Sequence, residues 1–352
     1  MSRKTKRVLL TVLCDIAITG ALLLAFAYFH HVKIDVVEPK AVSVSVQPEN
    51  AVPSPAATAE PAATPVPEEG EPAQTEEGTS ETAEEPEPSA VPSGLLQGKY
   101  SEKFTDDVRM EEGSYSSKDI SIEITTMERF GSNVHVADVY LNDIKCLRSA
   151  VFSDYSKRYM SILEMARSSG AIVAISGDHF YAHRAAGVFA VRNGQEYFAD
   201  PNTKQDICVL YNDGVMECYS AEQIDKEAIY ARGAYQVWDF GPNMLDENGK
   251  ALGKYASSVA NVNPRSAIGY YEPGHYCLVN VEGRTKDSGG VTLVELGQIF
   301  EELGCKVAYN LDGGKTAVMT FGDKAWSHVL GGGRDASDII YIKEVDTEGQ
   351  AG

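Results

Sequence analysis

The segment most suited to chemistry is Tyr309-Asn310-Leu311-Asp312-Gly313-Gly314, which follows an amphipathic pattern and an apolar run. This order predicts that the segment lies at the end of a β-strand. The glycines let backbone N–H groups approach an anion, and a carboxylate beside them suits acid–base or nucleophilic work. Asp-Gly-Gly also occurs in ordinary turns, so the interpretation depends on other segments. Asp312 is the first catalytic candidate, and Asn310, Gly313 and Gly314 are candidate substrate-binding residues.

A second polar segment follows a short apolar run and reads Ile175-Ser176-Gly177-Asp178-His179-Phe180. Side chains presented on a loop after a strand are well placed for a site. Asp178 is a candidate base or ligand of a sugar hydroxyl, and His179 is a candidate substrate contact. The alternative is an Asx-type turn with His179 on the surface.

Three arginines are candidate anion ligands. Arg265 follows Pro264 and opens an apolar strand, and Arg284 lies just past the next strand. A guanidinium fork at such a position suits a phosphate or a carboxylate, although a structural salt bridge would also explain Arg265. Arg334 follows Gly331–Gly333, a loop that either closes over a substrate or is simply solvated.

A glycine-rich run, Ser288-Gly289-Gly290, leads into the start of a predicted helix. Helix N-termini favour anions because their N–H groups are free and the helix dipole is positive there. Glu295 stands three residues after Thr292, which is the spacing of a capping box. The sequence leaves capping and catalysis equally open for Glu295.

The apolar periodicity predicts how these segments are positioned. Helices are expected over Ser153–Gly170 and Leu293–Leu303, because each has an apolar stripe and a terminal glycine. Strands are expected over 171–175, 188–191, 207–211, 215–219, 267–271, 276–281, 306–310, 317–321 and 338–342. Strands dominate, so we predict an α+β fold: a single domain on a mixed, mainly antiparallel sheet with a few packed helices.

Five cysteines lie in the predicted domain, and an odd number argues against a complete disulfide framework. Cys208 and Cys218 flank Asn212-Asp213-Gly214, so a hairpin there would set them opposite each other. Buried free thiols are the preferred interpretation. No spacing of cysteine and histidine resembles a zinc site, and we expect no cofactor.

The N-terminus has the features of a membrane anchor. A basic tail, residues 1–7, precedes an apolar run over 8–29, which as a helix would span about 33 Å. The basic flank predicts a cytoplasmic N-terminus and an extracellular remainder. A cleaved signal peptide is the alternative, because Ala25-Phe26-Ala27 resembles a cleavage site.

Residues 30–97 are predicted to be a disordered linker, residues 98–345 the folded domain and residues 346–352 a disordered tail. Residues 38–97 hold eleven of the fifteen prolines and twelve acidic residues against one lysine, without any aromatic residue. Such a segment buries too little apolar surface to offset its ordering entropy. Much of the net charge of −20 therefore belongs to the linker. No basic stripe indicates nucleic-acid binding.

Taken in order, these segments resemble the phosphodiester glycosidase family, which includes N-acetylglucosamine-1-phosphodiester α-N-acetylglucosaminidase and bacterial proteins linked to exopolysaccharide or the cell surface. The resemblance covers about residues 153–342. Its strongest part is Val281 to Gly314: a Gly-Arg pair, a Ser-Gly loop, a helix with an internal Glu, and Asn-Leu-Asp-Gly-Gly. Pro264 to Gly269 is its second anchor.

The resemblance implies a hydrolase that cuts between an anomeric carbon and a phosphodiester oxygen in a surface glycan. Asp312, Glu295 and Asp178 would be its catalytic carboxylates. Two positions depart from the family pattern: Ser176 stands where Asn is usual, and Lys315 follows Asp-Gly-Gly where the loop is usually bare. Both are counted among the substrate-binding candidates.

Two other functions remain open at this point. Ser176 and Lys315 could make the same pocket a binding module for a phosphorylated cell-wall polymer. The arginines could also serve a phosphatase or a phosphotransferase.

Overall fold

The computed structural model describes residues 96, 98–151, 160–178, 188–199, 203–257 and 259–345, together with Thr19 and the short strand Lys40–Ala41. The predicted membrane helix over 8–29, apart from Thr19, lies outside these residues, and so does nearly all of the predicted linker. Within the described part of the chain, no helix is both long and apolar enough to cross a bilayer.

Eighteen strands, three α-helices and five short 3-10 helices are the regular elements that the structure describes in full. The strands in chain order are β1 Lys40–Ala41, β2 Arg109–Glu111, β3 Ser114–Ser116, β4 Ile120–Arg129, β5 Ser132–Leu141, β6 Leu147–Val151, β7 Val173–Ser176, β8 Phe189–Arg192, β9 Gln195–Ala199, β10 Ile207–Tyr211, β11 Met216–Tyr219, β12 Ala234–Trp238, β13 Arg265–Glu272, β14 His275–Val281, β15 Val307–Asn310, β16 Met319–Phe321, β17 Lys324–Ala325 and β18 Asp338–Ile342. The helices are α1 Ile162–Ser169, α2 Lys226–Ala231 and α3 Leu293–Leu303.

The strands form three sheets rather than the single mixed sheet that we predicted. Their orders are β15-β13-β14-β5-β4-β3-β2, β1-β9-β8-β12-β10-β11 and β17-β16-β7-β18-β6. Every pairing among the described strands is antiparallel. Many neighbouring strands are joined by tight turns, and a short turn can only reverse the chain direction. The prediction of a strand-rich fold with few helices is confirmed.

The seven-stranded sheet lies between α3 on one face and strands of the other two sheets on the opposite face. Alternation along β14 produces these two faces, because Cys277 and Val279 pack with α3 whereas Leu278 packs with strands β7 and β10. The helix contributes Leu296 and Phe300, both fully buried. Burying such a side chain stabilises the fold by about 1.5–3 kcal/mol.

The bounds of α3 agree with the prediction, and its ends follow from local signals. Thr292 and Glu295 form a reciprocal capping box at the start, and Gly304 ends the helix with φ 79° in the left-handed region. Helix α1 also ends as predicted, at Gly170, and it begins after Ser161; the predicted start at Ser153 lies outside the described residues. Ser161 and Glu164 form a second capping box, so the first turn is fixed there.

The long hairpin of β4 and β5 was not predicted, although its apolar and polar residues alternate along β4. The β10–β11 hairpin was predicted, and its register pairs Cys208 directly with Cys218. The cysteines of the described residues are free thiols.

Strand order brings the candidate segments to one edge of the seven-stranded sheet. Strand β13 pairs antiparallel with both β14 and β15, and Arg265 at its start is opposite Val281 at the end of β14. The start of β13 and the ends of β14 and β15 therefore coincide. Arg284 and Asp312 each follow one of those ends by a few residues, so topology alone gathers them beside Arg265.

Candidate active site

A cleft of about 280 Å³ opens at this edge of the sheet. Four loops contribute to it: the residues before β13, and those after β14, after β15 and before β18. The lining residues are Phe240, Val259, Asn263, Arg265, Arg284, Leu311, Asp312, Gly313, Gly314, Lys315 and Arg334. The structure thus brings together the predicted residues Arg265, Arg284, Asp312, Gly313, Gly314, Lys315 and Arg334.

Asp312 is held on both sides of its peptide. Its N–H donates to the carbonyl of Gly177 at 3.0 Å, and its own carbonyl accepts from Ser176 Oγ at 2.6 Å. Its carboxylate accepts from Nη2 of Arg334 through both oxygens, at 2.9 and 3.1 Å. The Asp312 side chain is 9% exposed, whereas that of Arg334 is 48% exposed. The carboxylate is therefore fixed in place yet reachable from the cleft.

Arg265 is a buried cation that main-chain carbonyls hold in place. Nε donates to Val291 at 3.1 Å, and Nη2 donates to Val259 at 2.8 Å and to Asn261 at 2.5 Å. Within the described part of the chain no carboxylate forms an ion pair with Arg265, and these bonds do not use Nη1. Burial and the neighbouring charge of Arg284 lower the pKa of Arg265 to about 10, so it still carries its charge at neutral pH.

A buried charge without an opposite charge is costly, because its hydration has been lost and no ion replaces it. An anion in the cleft would supply the missing charge at Arg265. The structural salt bridge that the sequence left open for Arg265 is not formed among the described residues.

Arg284 stands at the mouth of the cleft on the loop after β14. Its backbone is left-handed, with φ 57°, and its N–H donates to the carbonyl of Gly289 at 3.1 Å. Its side chain donates to Oδ1 of Asn263. The exposed guanidinium lies beside Gly314, since a Cβ built there would be 3.7 Å from Nη1 of Arg284.

Position 313 requires a glycine because the backbone of Pro264 lies very close to it. A Cβ at this position would lie 2.5 Å from the carbonyl oxygen of Pro264, a distance that no side chain tolerates. The next residue, Gly314, donates its N–H to the same carbonyl at 2.9 Å. The loop that carries Asp312 is thereby pressed against the segment that carries Arg265.

Lys315 and Arg334 close the remaining side of the cleft. The N–H of Arg334 donates to the carbonyl of Lys315 at 3.1 Å, and a Cβ built at Gly331 would lie 3.7 Å from Lys315 Nζ. The two cations therefore belong to adjoining loops. Four cations and a single carboxylate line this cleft among the described residues, in a chain whose net charge is −20.

Ser176 and Asn310 lie beneath the cleft rather than in it. Both are fully buried. Ser176 Oγ lies 2.8 Å from Ser266 Oγ in addition to its bond to Asp312, and Asn310 Nδ2 donates to the carbonyl of Gly241 at 2.7 Å. Their side chains support the loops of the cleft, whereas we had predicted that they contact substrate.

Asp178 is also buried outside the cleft lining. Its carboxylate pairs with Arg192 at 2.8 Å and accepts the N–H groups of Asp239 and Phe240 at 2.9 and 3.2 Å. Arg192 pairs in turn with Asp338 at 3.1 Å. Burial raises the pKa of Asp178, and the same cause raises that of Asp338 well above its usual range. We had predicted a catalytic role, but the geometry gives Asp178 a positioning role behind Phe240.

Glu295 performs the capping function. Its Oε2 accepts from the backbone N–H and the hydroxyl of Thr292, both at 2.8 Å, and it does not line the cleft. His179 lies outside the described residues.

Three residues that shape or support the cleft were not among the predicted site residues. Asn263 anchors the Arg284 side chain, and Phe240 forms one wall of the cleft. Arg192 neutralises Asp178 from the last position of the apolar strand β8. A charged residue that directly continues an apolar run is the one signal that could have revealed such a buried partner.

Comparison with known proteins identifies sequences and structures that are similar to this chain. The family model of the phosphodiester glycosidases (NAGPA) matches residues 169–343. The SPbeta prophage-derived uncharacterized protein YomE of Bacillus subtilis strain 168 is 26% identical over 195 residues. That match covers 53% of this chain and 30% of the length of YomE.

Two solved structures were matched as well. The catalytic domain of zebrafish N-acetylglucosamine-1-phosphodiester alpha-N-acetylglucosaminidase, auto-inhibited by its pro-peptide, matches with a TM-score of 0.51 and 17% identity. The match covers 64% of this chain and 83% of that chain. A hypothetical protein from Synechocystis matches with a TM-score of 0.47 and 15% identity over 64% of this chain and 62% of that one.

The zebrafish structure shares the fold of this chain, and the family model covers every segment that lines the cleft. The family predicted from the sequence motifs is confirmed. Through residues 169–343, this chain belongs to the phosphodiester glycosidase family.

Proposed function

We propose that this chain hydrolyses the bond between the anomeric carbon and the phosphate oxygen of a sugar-1-phosphodiester. The composition of the cleft carries the proposal: one carboxylate, Asp312, stands among Arg265, Arg284, Lys315 and Arg334. Membership of the phosphodiester glycosidase family supports it.

The leaving group explains why one carboxylate suffices. Most glycosidases need a second carboxyl group as general acid, because an alkoxide leaves poorly. Here the departing group is a phosphomonoester, whose second pKa is about 6, so it leaves without a proton. It needs positive charge instead, and Arg265 and Arg284 supply that charge from fixed positions.

Asp312 acts on the sugar side of the bond. As the C1–O bond breaks, its electron pair moves to the phosphate oxygen and the anomeric carbon becomes cationic. The Asp312 carboxylate stabilises this carbon and takes the proton of the attacking water, or attacks C1 itself to give an ester that water then cleaves. The configuration of the released sugar distinguishes the two routes.

The extracellular location of the domain and a surface glycan as its substrate are part of the same proposal. Only the sequence supports these two points. A membrane helix over 8–29 and an acidic linker over 30–97 would tether the domain outside the cell. A phosphodiester-linked surface glycan is then the substrate class within reach.

The test uses the full chain and the methyl diester of α-N-acetylglucosamine 1-phosphate, with release of reducing sugar as the readout. Asp312→Asn keeps the shape and the hydrogen bond to Arg334 but removes the charge. Activity should fall at least about 100-fold, which is the scale of a lost general base, while binding of the diester persists. Asp106→Asn, an exposed position outside the cleft, is the matched control and should keep full activity.

Other products would overturn the proposal. Inorganic phosphate without reducing sugar would identify a phosphatase. Binding of the diester without turnover by the unaltered chain would identify a binding module.

A further inference from the structure

A second cleft adjoins the active-site cleft, and Phe240 lines both. We name it the side cleft; its lining includes Asp206, Phe240, Asn243 and Tyr255, together with Lys204 and Lys254. Its volume is about 500 Å³. Ser257 lines the side cleft, and Val259, two positions further along the chain, lines the active-site cleft.

The strand that leads to Asp312 also fixes the side cleft. The hydroxyl of Tyr309 donates to the backbone carbonyl of Asp206 at 2.6 Å. The next residue, Asn310, donates to the carbonyl of Gly241 at 2.7 Å. The floor of the side cleft and the carboxylate of Asp312 therefore depend on the same short strand, β15.

Asp206 has unused capacity as an acceptor. Its carboxylate is half-buried, and among the described residues it accepts one long hydrogen bond, from the N–H of Asn243 at 3.4 Å. An ionised carboxylate can accept about four hydrogen bonds. Burial of this group is costly without more donors, and a ligand bearing hydroxyl groups would supply them.

Tyr255 contributes an aromatic ring to the same cleft. Its hydroxyl donates to the carbonyl of Met244 at 3.0 Å, which holds the ring in one orientation. A carboxylate, an amide and an immobile aromatic ring together suit a ligand with hydroxyl groups and short apolar faces.

Size argues that a substrate needs both clefts. Ligand pockets usually measure about 300–1,000 Å³, and the active-site cleft, at about 280 Å³, lies just below that range. A phosphodiester carries an arm on each side of its phosphorus. Phe240 borders both clefts, so when the glycosyl arm reaches Asp312 and the phosphate meets the arginines, the other arm can extend past Phe240 into the side cleft.

We propose that the side cleft binds the second arm of the diester and that this arm is polyhydroxylated, a sugar or a polyol whose hydroxyl groups donate to Asp206. This inference rests on the proposed function. It adds a specificity site that lies outside the residues that carry the chemistry.

Two diesters of N-acetylglucosamine 1-phosphate test it, the glyceryl and the propyl ester, which have the same carbon chain and differ in hydroxyl groups. The full chain should cleave the glyceryl diester with a kcat/KM about tenfold higher, the scale of one hydrogen bond to a charged group. Asp206→Ala should bring the ratio of the two values close to one. Glu247→Ala, an exposed carboxylate outside both clefts, should leave the ratio unchanged.

Taking the ratio on one preparation separates specificity from folding, because misfolded protein lowers both values equally. Three results would each overturn the inference: a ratio near one in the unaltered chain, a preference for the propyl ester, or a ratio that Asp206→Ala leaves unchanged. If neither diester is cleaved, the proposed function fails, and calorimetric Kd values for the same two compounds decide the side cleft. If the glyceryl ester binds about tenfold more tightly and Asp206→Ala abolishes this difference, the inference is supported. If the two esters bind equally, the inference is overturned.

Discussion

The hydroxyl of Ser176 donates to the backbone carbonyl of Asp312 at 2.6 Å and thereby joins two sheets beneath the cleft. Ser176 ends β7 of the five-stranded sheet, and Asp312 follows β15 of the seven-stranded sheet. The N–H of Asp312 completes the junction by donating to Gly177. A residue that departs from the family pattern thus holds the catalytic candidate in position.

Ser176→Ala should therefore lower both stability and activity. The carbonyl of Asp312 would lose its side-chain donor in a fully buried place, which costs about 1–3 kcal/mol of unfolding free energy. Urea unfolding measures this loss, and kcat should fall because the Asp312 peptide is less well fixed. Ser101→Ala, at an exposed position, should change neither quantity. An unaltered kcat in Ser176→Ala would show that the Gly177 bond alone positions Asp312.

Arg284→Asn should reduce catalysis without reducing stability. The substitution removes a charge beside Gly314 while keeping a residue type that tolerates the left-handed backbone at φ 57°. Because the arginine stabilises charge that develops on the leaving phosphate, kcat/KM should fall at least about tenfold. Thermal unfolding should be unchanged within error, since the side chain is exposed. Lys286→Asn on the same loop is the control. An equal loss of kcat/KM in that variant would mean that the total charge of the loop, not Arg284 itself, causes the effect.

Inorganic phosphate should stabilise the folded chain. The buried guanidinium of Arg265 lacks an opposite charge among the described residues, and a bound anion provides one. At about 100 times its Kd, a ligand of the native state adds about 2.7 kcal/mol of unfolding free energy. A rise in Tm with phosphate that sodium chloride at equal ionic strength does not reproduce would support the site. The rise should shrink in Arg284→Asn, and equal shifts with both salts would contradict it.

Stability should fall as pH rises from about 4 to about 7 because of Asp239. Burial, together with the charge of Asp178, raises the pKa of Asp239 to about 7. In this window the folded state keeps a proton that the unfolded state has released, so the unfolding free energy decreases with pH. One proton corresponds to about 1.4 kcal/mol per pH unit at most.

Denaturant titrations of the unaltered chain and of Asp239→Asn across this range isolate the contribution. The variant should have a flatter pH profile, because an amide does not titrate. Asp106→Asn should keep the profile of the unaltered chain. Parallel profiles for Asp239→Asn and the unaltered chain would mean that Asp239 does not hold the proton.

Local signals explain which elements could be predicted. Helix α3 was predicted with its bounds, because its apolar stripe, its Thr292–Glu295 spacing and Gly304 all act within one or two turns. The β10–β11 and β13–β14 hairpins were likewise indicated by their turn residues. The division into three sheets depends on which strands pair over long distances, and no local pattern encodes that choice.

The site residues show the same limit of what the sequence can predict. Arg265, Arg284 and Asp312 were predicted from glycine and proline neighbours at strand ends, and the structure gathers them in one cleft. Asp178 has the same kind of neighbours, yet Arg192 and the N–H groups of residues 239 and 240 enclose it. A polar residue at a strand end can face either solvent or a neighbouring sheet. Long-range packing decides between the two, and local sequence does not reveal that packing.

The anchorage of Arg265 has a consequence for how this cleft can change over time. Its guanidinium is held by the carbonyl oxygens of Val259, Asn261 and Val291, and every amino acid carries such an oxygen. Val291 is also part of the buried core, but the hydrogen bonds themselves do not depend on which side chains stand at these three positions. The walls of the cleft can diverge toward new substrates around an anion-binding centre that mutation of its supports does not readily erase.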